Sequence, residues 1–277
     1  SREQALNFMQ NPQPEISVAW PLNSDRTTLR QNLMSGLVDA AIYNANHNQK
    51  DLGIFEQGRV FYQNGTENLE LEHLAALYSG TDQPTNWQHL EQKVDFYFVK
   101  GQLEALFAQL GLLEQITFEK ALVPGYHAGR TAQVKFGETV IGYVGQLDPR
   151  LIKKHKLPDI YGFELNLEPV MAHPAPVVTS QKAPKFPSIK RDLSLLCDQK
   201  LTNAEIIATI KEFGGKYLTN VTVFDVYSGE KLEFNKKSLA YQLTFYNDVE
   251  TLTDEVVKTQ MEKIMAGLAE KLNIVIR

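Results

Sequence analysis

The sequence predicts an α+β protein of two domains, a largely antiparallel sheet with flanking helices followed by a smaller sheet covered by helices. Three observations favour this fold. Adjacent strand patterns dominate the first 168 residues, with few helices between them. Proline is concentrated in a connector, and residues 188–277 alternate strand and helix patterns. A length of 277 residues fits two ordinary domains.

The first domain, residues 1–171, combines helix stripes with hairpins. Apolar residues recur every four positions at Leu29, Leu33, Leu37 and Ala41, which predicts an amphipathic helix. A second stripe runs from Val99 to Leu110. Strands are predicted at residues 53–62, 71–79, 131–136, 139–146 and 161–167.

Residues 172–187 are interpreted as a proline-rich linker. Five of the twelve prolines lie close together at residues 169–187: Pro169, Pro174, Pro176, Pro184 and Pro187. Proline lacks a backbone donor and disfavours helix in the residue before it, so an extended connector is expected.

The second domain, residues 188–277, has the clearer pattern. Strands are predicted at residues 191–197, 221–227, 238–246 and 274–276. Thr202 and Glu205 form the capping-box pattern of a helix that ends at Gly214, and Thr253 begins a second helix. The resulting order, β-α-β-β-α-β, is that of the ferredoxin-like fold.

Composition excludes several classes of protein. The single cysteine, Cys197, excludes an internal disulfide framework, and the six histidines show no metal-ligand spacing. No apolar run has the ~18 residues that span a bilayer, so no membrane partner is expected. The net charge of −5 gives no global attraction to nucleic acid. Because no initiator methionine is present, Ser1 is interpreted as either a processed end or a cut inside a longer protein, and residues 5–9 (ALNFM), which resemble the end of an element begun upstream, favour the cut.

No catalytic constellation is visible. The sequence has no phosphate-binding glycine loop and no nucleophile-elbow motif. Asp148 and Glu164 are a conceivable carboxylate pair, but solvated carboxylates are the simpler interpretation. Residues 125–131 (GYHAGRT) resemble a ligand loop with a histidine and an arginine, although a structural or interface role for the arginine is more common.

The second domain offers a binding surface. Alternation along residues 221–227 puts Val223, Asp225 and Tyr227 on one face, with Phe224 and Val226 in the core. Across the hairpin, Ser238 and Ala240 alternate onto the same open face. A nucleobase can stack on Tyr227 while Asp225 accepts its protons. Basic residues at the strand ends, Lys190, Arg191, Lys231, Lys236 and Lys237, are candidates for phosphate contacts. A solvated sheet face explains the same pattern.

Several segments in order resemble one family. PKFPSIKRDLSLL, VFDVYSGEKL, KKSLAYQLTF and the terminal IVIR resemble the ferredoxin-fold anticodon-binding domain of the β subunit of bacterial phenylalanyl-tRNA synthetase. LRQNLMSGL, IFEQGRVF, DFYFVKGQ, GYHAGRTAQV, IGYVGQLDP and YGFELNL are similar to the same subunit's catalytic-like domain, which has a class II synthetase-like fold. The family usually has Pro at Ala128, and often Glu at Gln146 and His at Asp148.

The resemblance implies a non-catalytic role for this chain. No catalytic residues are expected, since the arginine and glycine-rich motifs of class II enzymes are missing around IFEQGRVF and after it. No metal site is expected either, because the family's magnesium site belongs to upstream parts of the subunit. ATP and magnesium would be used by the assembled enzyme at sites outside this chain. The expected partners are the α subunit, in an α2β2 assembly in the cytoplasm, and tRNA(Phe). Leu29, Leu33 and Leu37 are expected at the subunit interface.

The resemblance implies an anticodon-binding role for the second domain, and the strand alternation selects the residues on its open face. Asp225, Tyr227, Ser238 and Ala240 are expected to bind the anticodon, with Asp225 suited to the guanine at its first position. Lys190, Arg191 and Lys237 are expected to hold phosphates. A stand-alone RNA-binding or regulatory protein that reuses both domains is the alternative function. A single-chain organellar enzyme is disfavoured because it requires the missing catalytic motifs.

Overall fold

The computed structural model of the chain describes residues 8–9, 13–21, 27–88, 90–174, 177, 183–229 and 232–276. The chain divides into two compact units, Ser1–Val178 and Thr179–Arg277. Parts of the predicted linker, residues 175–176 and 178–182, lie outside the described residues, as does most of the N-terminal segment on which the interpretation of Ser1 rests. The assignment of residues 172–187 as a linker stays a prediction.

The first unit is an antiparallel α+β domain, as predicted. Its helices are α1 (Met34–Asn46), α2 (Phe96–Gln109), α3 (Pro149–Lys154) and α4 (Glu168–Met171), with a 3-10 turn at Leu113–Gln115. Its strands are β1 (Leu52–Asn64), β2 (Glu67–Ser79), β3 (Thr81–Gln83), β4 (Gln92–Lys93), β5 (Ile116–Lys120), β6 (Tyr126–Phe136), β7 (Thr139–Leu147) and β8 (Ile160–Asn166).

A six-stranded sheet in the order β1-β2-β8-β7-β6-β5 organises this unit, and every neighbouring pair is antiparallel. Successive residues of β2 face opposite sides, so Ala75 and Leu77 pack with α1 while Ala76 packs with α2. The sheet therefore has an apolar core on each face. β7 and β8 approach closely at Gly142, where an added Cβ would lie 2.0 Å from the carbonyl oxygen of Glu164.

The first predicted helix begins later than its apolar stripe suggests. Leu29 precedes α1, and its backbone amide donates to the carbonyl of Ile16. The carbonyl of Arg30 accepts from the amide of Phe61 on β1. Because these backbone groups bond to neighbouring chain segments, residues 29–30 are unavailable for helical hydrogen bonds. The prediction of a helix through Leu29 was wrong, and its Leu37 to Ala41 part was right.

The second unit has the predicted β-α-β-β-α-β order. Its elements are β9 (Ile189–Asp198), α5 (Asn203–Phe213), β10 (Leu218–Tyr227), β11 (Lys236–Phe245), α6 (Asp254–Leu272) and β12 (Val275–Ile276). The sheet order is β10-β11-β9-β12 and all pairs are antiparallel. Thr202 and Glu205 form both bonds of the predicted capping box at the start of α5.

The helices and the sheet of this unit enclose one apolar core. Leu193 and Leu195 of β9 and Tyr241 and Leu243 of β11 are buried in it, together with Ile264 of α6. The hydroxyl of Tyr241 donates to the side chain of Asn203 at 2.6 Å, which satisfies the one polar atom of that buried ring.

The predicted alternation along β10 fails at one position. The register shifts between Val223, opposite Tyr241, and Asp225, opposite Ala240, so Phe224 is an extra residue in the strand. Val223 consequently packs against the core, whereas it was expected on the open face. Phe224 and Val226 were expected in the core but are 57% and 61% exposed. The bulge resets the alternation, which a regular two-residue period cannot anticipate.

Candidate nucleic-acid interface

The open face of the second sheet is defined by β11. Leu239, Tyr241 and Leu243 are buried, so Ser238, Ala240, Gln242 and Thr244 lie on the face away from the helices. Residues directly opposite each other in an antiparallel pair share a face. Asp225 lies opposite Ala240 and Tyr227 lies opposite Ser238. The structure thus brings four predicted site residues, Asp225, Tyr227, Ser238 and Ala240, onto one face.

Tyr227 is an exposed aromatic platform with a supported ring. It is 42% exposed at the end of β10. A Cβ added to Gly229 would lie 2.7 Å from the Tyr227 hydroxyl oxygen and 2.9 Å from ring atom Cζ. The Tyr227 ring therefore packs against the backbone of Gly229 at the start of the hairpin loop. The small side chains of Ser238 and Ala240 leave space beside it.

The predicted phosphate-binding residues do not come together. Lys190 lies opposite Thr244 on the open face, near the end of the sheet away from Tyr227. Arg191 has the core-side alternation of Leu193, and its guanidinium pairs with Asp254 at the start of α6. Lys237 lies opposite the buried Cys197, and its ammonium donates to the carbonyl of Leu201.

This placement corrects the expectation for Arg191 and Lys237. Both alternate toward the helix side of the sheet, so neither accompanies a base on the open face. Lys236, one position earlier in β11, has the open-face alternation of Ser238 and lies opposite Asp198. The sequence suggests Lys236 among five basic residues but favours its neighbour Lys237 for phosphate binding, whereas the register puts Lys236 on the open face.

The subunit-interface expectation also changes. Leu33 and Leu37 are 1% and 5% exposed and belong to the core under α1. A side chain buried inside its own unit cannot present a surface to another subunit. Leu29 is half-buried. Apolar stripes on helices usually mark a core, and this one does for Leu33 and Leu37.

The conspicuous carboxylates of the first unit have structural partners. Glu164 accepts hydrogen bonds from the backbone amides of Leu33 at 3.0 Å and Met34 at 2.9 Å, and lies 2.8 Å from Nδ1 of His73. Asp148 pairs with Arg150, which holds the pKa of that carboxyl below its usual value. The two acids therefore serve separate parts of the fold, and they do not form a catalytic pair.

A cavity of about 230 Å³ adjoins Glu164 and His73 and is also lined by Tyr62 and Tyr126. Burial, followed by the charge of Glu164, raises the pKa of both tyrosines. Both hydroxyls are protonated at neutral pH even at the ordinary tyrosine pKa of 10.0, and the raised pKa keeps them protonated in more alkaline solution. The hydroxyl of Tyr62 donates to the carbonyl of Gln31, so it serves the packing of the segment before α1.

Residues 126–131 of the segment GYHAGRT are part of β6, and Gly125 lies in the turn before it, so the segment is not a free loop. Arg130 donates from Nη1 to the side-chain oxygen of Gln146 on β7 at 2.9 Å. His127 accepts from the backbone amide of Gly129 at 2.9 Å, where the β6–β7 register is irregular. These contacts give the segment a structural role.

Among the residues that the structure describes, no group of three or more His, Cys, Asp and Glu side chains is placed to hold a metal ion. Within the same part of the chain, no helix has the length and apolar character needed to cross a membrane.

Comparison with known proteins gives a consistent class for both units. Residues 1–167 match the family described as phenylalanyl tRNA synthetase beta chain CLM domain. Residues 184–277 match the ferredoxin-fold anticodon binding domain. The two matches define a chain from an aminoacyl-tRNA synthetase. Because the first match covers more than half of the sequence, the chain belongs to the phenylalanyl-tRNA synthetase beta chain family.

Curated relatives agree with this assignment. The phenylalanine–tRNA ligase beta subunit of Lactobacillus johnsonii is 49% identical over 100% of this chain and 35% of its own length. The subunit of Lactobacillus acidophilus is 47% identical over the same shares. That of Streptococcus pneumoniae strain R6 is 39% identical over 99% of this chain and 35% of the relative. The chain thus spans about a third of the length of these relatives.

A solved pyrrolysyl tRNA synthetase structure from Desulfitobacterium hafniense has a TM-score of 0.36 and 18% identity, covering 55% of this chain and 51% of that one. This likeness is too low to support an argument.

Proposed function

We propose that the chain is a non-catalytic part of the β subunit of phenylalanine–tRNA ligase that binds the anticodon of tRNA(Phe) and supports the catalytic α subunit. The observation that carries the anticodon role is the pairing of Asp225 with Ala240 and of Tyr227 with Ser238 on one open face. This arrangement offers a stacking ring beside a carboxylate, with small residues where a base needs room.

The base-reading chemistry follows from the two larger side chains. The Tyr227 ring stacks on the base, which contributes ~1–3 kcal/mol per base and tolerates any base. The Asp225 carboxylate only accepts hydrogen bonds, so it selects a base edge that donates. Guanine, with its imino and amino protons, is such a base and is the proposed occupant at the first anticodon position.

The assembly role is proposed for the first unit. Since Leu33 and Leu37 are buried, the α subunit would contact other apolar side chains of this unit. Exposed ones include Tyr43 on α1, Phe55 on β1 and Tyr97 on α2, which are 65%, 75% and 76% exposed. In the proposed α2β2 enzyme, which works in the cytoplasm, ATP and magnesium bind outside this chain.

Binding of the isolated 277-residue chain to a fluorescent anticodon stem-loop of tRNA(Phe) tests the anticodon role. Tyr227→Ala is expected to weaken binding by roughly ten- to a hundredfold. Tyr97→Ala is the matched control, because Tyr97 is an exposed tyrosine of the other unit. If Tyr227→Ala folds normally and binds as the unmodified chain does, the open face is not the anticodon site.

A further inference from the structure

The open face carries an apolar row that runs beyond Tyr227. Ser238 lies opposite Tyr227 in one direction and opposite Leu196 of β9 in the other. Leu196 lies opposite Val275 of β12. Tyr227, Ser238, Leu196 and Val275 therefore form one line across all four strands, on the face away from the helices.

The far end of this row is accessible. Val275 is 58% exposed and Leu196 is half-buried, although each is next in sequence to a residue of the core. Neighbouring strands lie about 4.8 Å apart, so Leu196 is ~10 Å from Tyr227 along the row. That span accommodates two bases side by side on the sheet.

The rest of the face differs in chemistry. The next rows hold Asp225, Ala240 and Ser194, then Gln242 and Asp192, whose side chains are 3.4 Å apart. Carboxylates there repel phosphates and accept from base edges. A strand of RNA on this face is therefore oriented with its bases toward the sheet and its phosphates toward solvent.

We infer that Leu196 and Val275 form a second base-stacking position, which takes an unpaired nucleotide of the same anticodon loop whose first base stacks on Tyr227. This inference rests on the proposed function, and continuity with the Tyr227 platform on the domain's open face selects RNA as the occupant. Recognition of single-stranded RNA uses splayed bases packed on aromatic side chains, and the aliphatic pair next to the Tyr227 ring extends that surface by van der Waals contact with the face of a neighbouring base.

The test measures binding of the 277-residue chain to the anticodon stem-loop and to versions with one abasic loop nucleotide each. Val275→Ser and Leu196→Ser are expected to weaken the intact loop by about three- to thirtyfold. In the Val275→Ser variant, an abasic nucleotide at one loop position should cause no further loss of binding. In the Tyr227→Ala variant the same should hold for a different loop position. Val249→Ser is the control, since Val249 is 76% exposed and lies between β11 and α6.

The outcomes separate the inference from the function beneath it. If Tyr227→Ala weakens binding and both apolar variants bind normally with an unchanged circular dichroism spectrum, the second position does not exist. If Val275→Ser changes only self-association of the chain in sedimentation, a second copy occupies the row and the inference is overturned. If Tyr227→Ala also has no effect, the proposed function fails with it. If Leu196→Ser unfolds, Val275→Ser alone decides whether the second position exists, because Val275 is more exposed than Leu196.

Discussion

Glu164 on β8 accepts a 2.9 Å hydrogen bond from the backbone amide of Met34, the first residue of α1, although 130 residues separate them. Leu33, the N-cap residue, has no polar side chain to cap the helix and also donates its amide to Glu164, while the side chain of Asn32 accepts from the amide of Ser35. One carboxylate from the sheet thus satisfies two amides of the helix start and neutralises part of its positive end. The contact joins α1 to the centre of the sheet.

We expect Glu164→Ala to lower the free energy of unfolding of the chain by about 2–3 kcal/mol, because it leaves partly buried amide donors without an acceptor. Glu164→Gln should cost less, since the amide oxygen still accepts one bond. Urea denaturation followed by circular dichroism measures both. Glu138→Gln is the control, since that side chain is fully exposed at a hairpin tip. An Ala variant as stable as the control would contradict a capping role.

The capping box of α5 predicts a pH dependence. Bonds from the Thr202 hydroxyl and then the Thr202 amide lower the pKa of Glu205. A carboxyl whose folded pKa is depressed contributes stability above its ordinary pKa of 4.5 and loses it as the pH falls through the lower folded value. Glu205→Gln should therefore flatten the pH dependence of the unfolding midpoint below about pH 5. Glu262→Gln, on the exposed side of α6, should leave that dependence unchanged.

Sequence patterns were informative where the physics is local. The capping box of Thr202 and Glu205, the hairpin around Gly137 and the β-α-β-β-α-β order all depend on neighbouring residues, and each is present. The faces of Asp225, Val226 and Tyr227 were predicted correctly, since Val226 lies opposite the buried Leu239, whereas the face of Val223 and the burial of Val226 were predicted wrongly. The extra residue at Phe224 arises from the way β10 pairs with β11. The alternation of residues along β10 alone does not reveal it.

Tertiary contacts account for the other differences. The apolar stripe through Leu33 and Leu37 is visible in the sequence. The sequence does not say whether a sheet of the same unit or another subunit packs against that stripe. Lys237 was one basic residue among neighbours, and its bond to Leu201 requires the turn after β9 to come close. The alignment of Leu196 with Val275 does not follow from strand patterns alone, because they do not say that β12 pairs with β9.

Asp225→Asn should change specificity more than affinity. The amide presents a donor where the carboxylate only accepts, so a guanine edge loses part of its match. We expect the ratio of affinities for guanine and adenine at the first anticodon position to fall by about tenfold, with smaller changes for the adenine loop itself. Competition between the two stem-loops measures that ratio directly. Asp192→Asn, on β9 and two strands away from Asp225 on the same face, tests whether any carboxylate suffices.

Gly229→Ala should act through the Tyr227 ring. The added methyl would lie within 3 Å of the hydroxyl oxygen and of Cζ, so the ring must move away from the loop. Binding of the anticodon stem-loop should weaken while the thermal unfolding midpoint changes little, because both residues are exposed. In Tyr227→Ala the glycine substitution should have no further effect, since the clash is gone. An equal loss with and without the ring would assign the glycine a role of its own.

Lys236 and Lys237 are adjacent in sequence and alternate to opposite faces of the same strand, which makes them a matched pair. Lys236 shares the open face with Ser238, whereas the ammonium of Lys237 is bonded to the carbonyl of Leu201 on the helix side. A lysine that contacts an RNA phosphate contributes to binding of every sequence and to the salt dependence, by a slope of about 0.7 for single strands. We expect Lys236→Ala to weaken binding of the guanine and adenine stem-loops equally and to flatten the plot of log affinity against log salt by that amount.

Lys237→Ala should leave the slope unchanged, because its charge lies across the sheet from the RNA, although it should cost some stability through the lost bond to Leu201. Lys190→Ala, at the far end of the open face, should behave like Lys236→Ala only if the RNA extends along the strands. A reversed result, with Lys237 alone changing the slope, would place the phosphates on the helix side and rule out the open face as the RNA-binding surface.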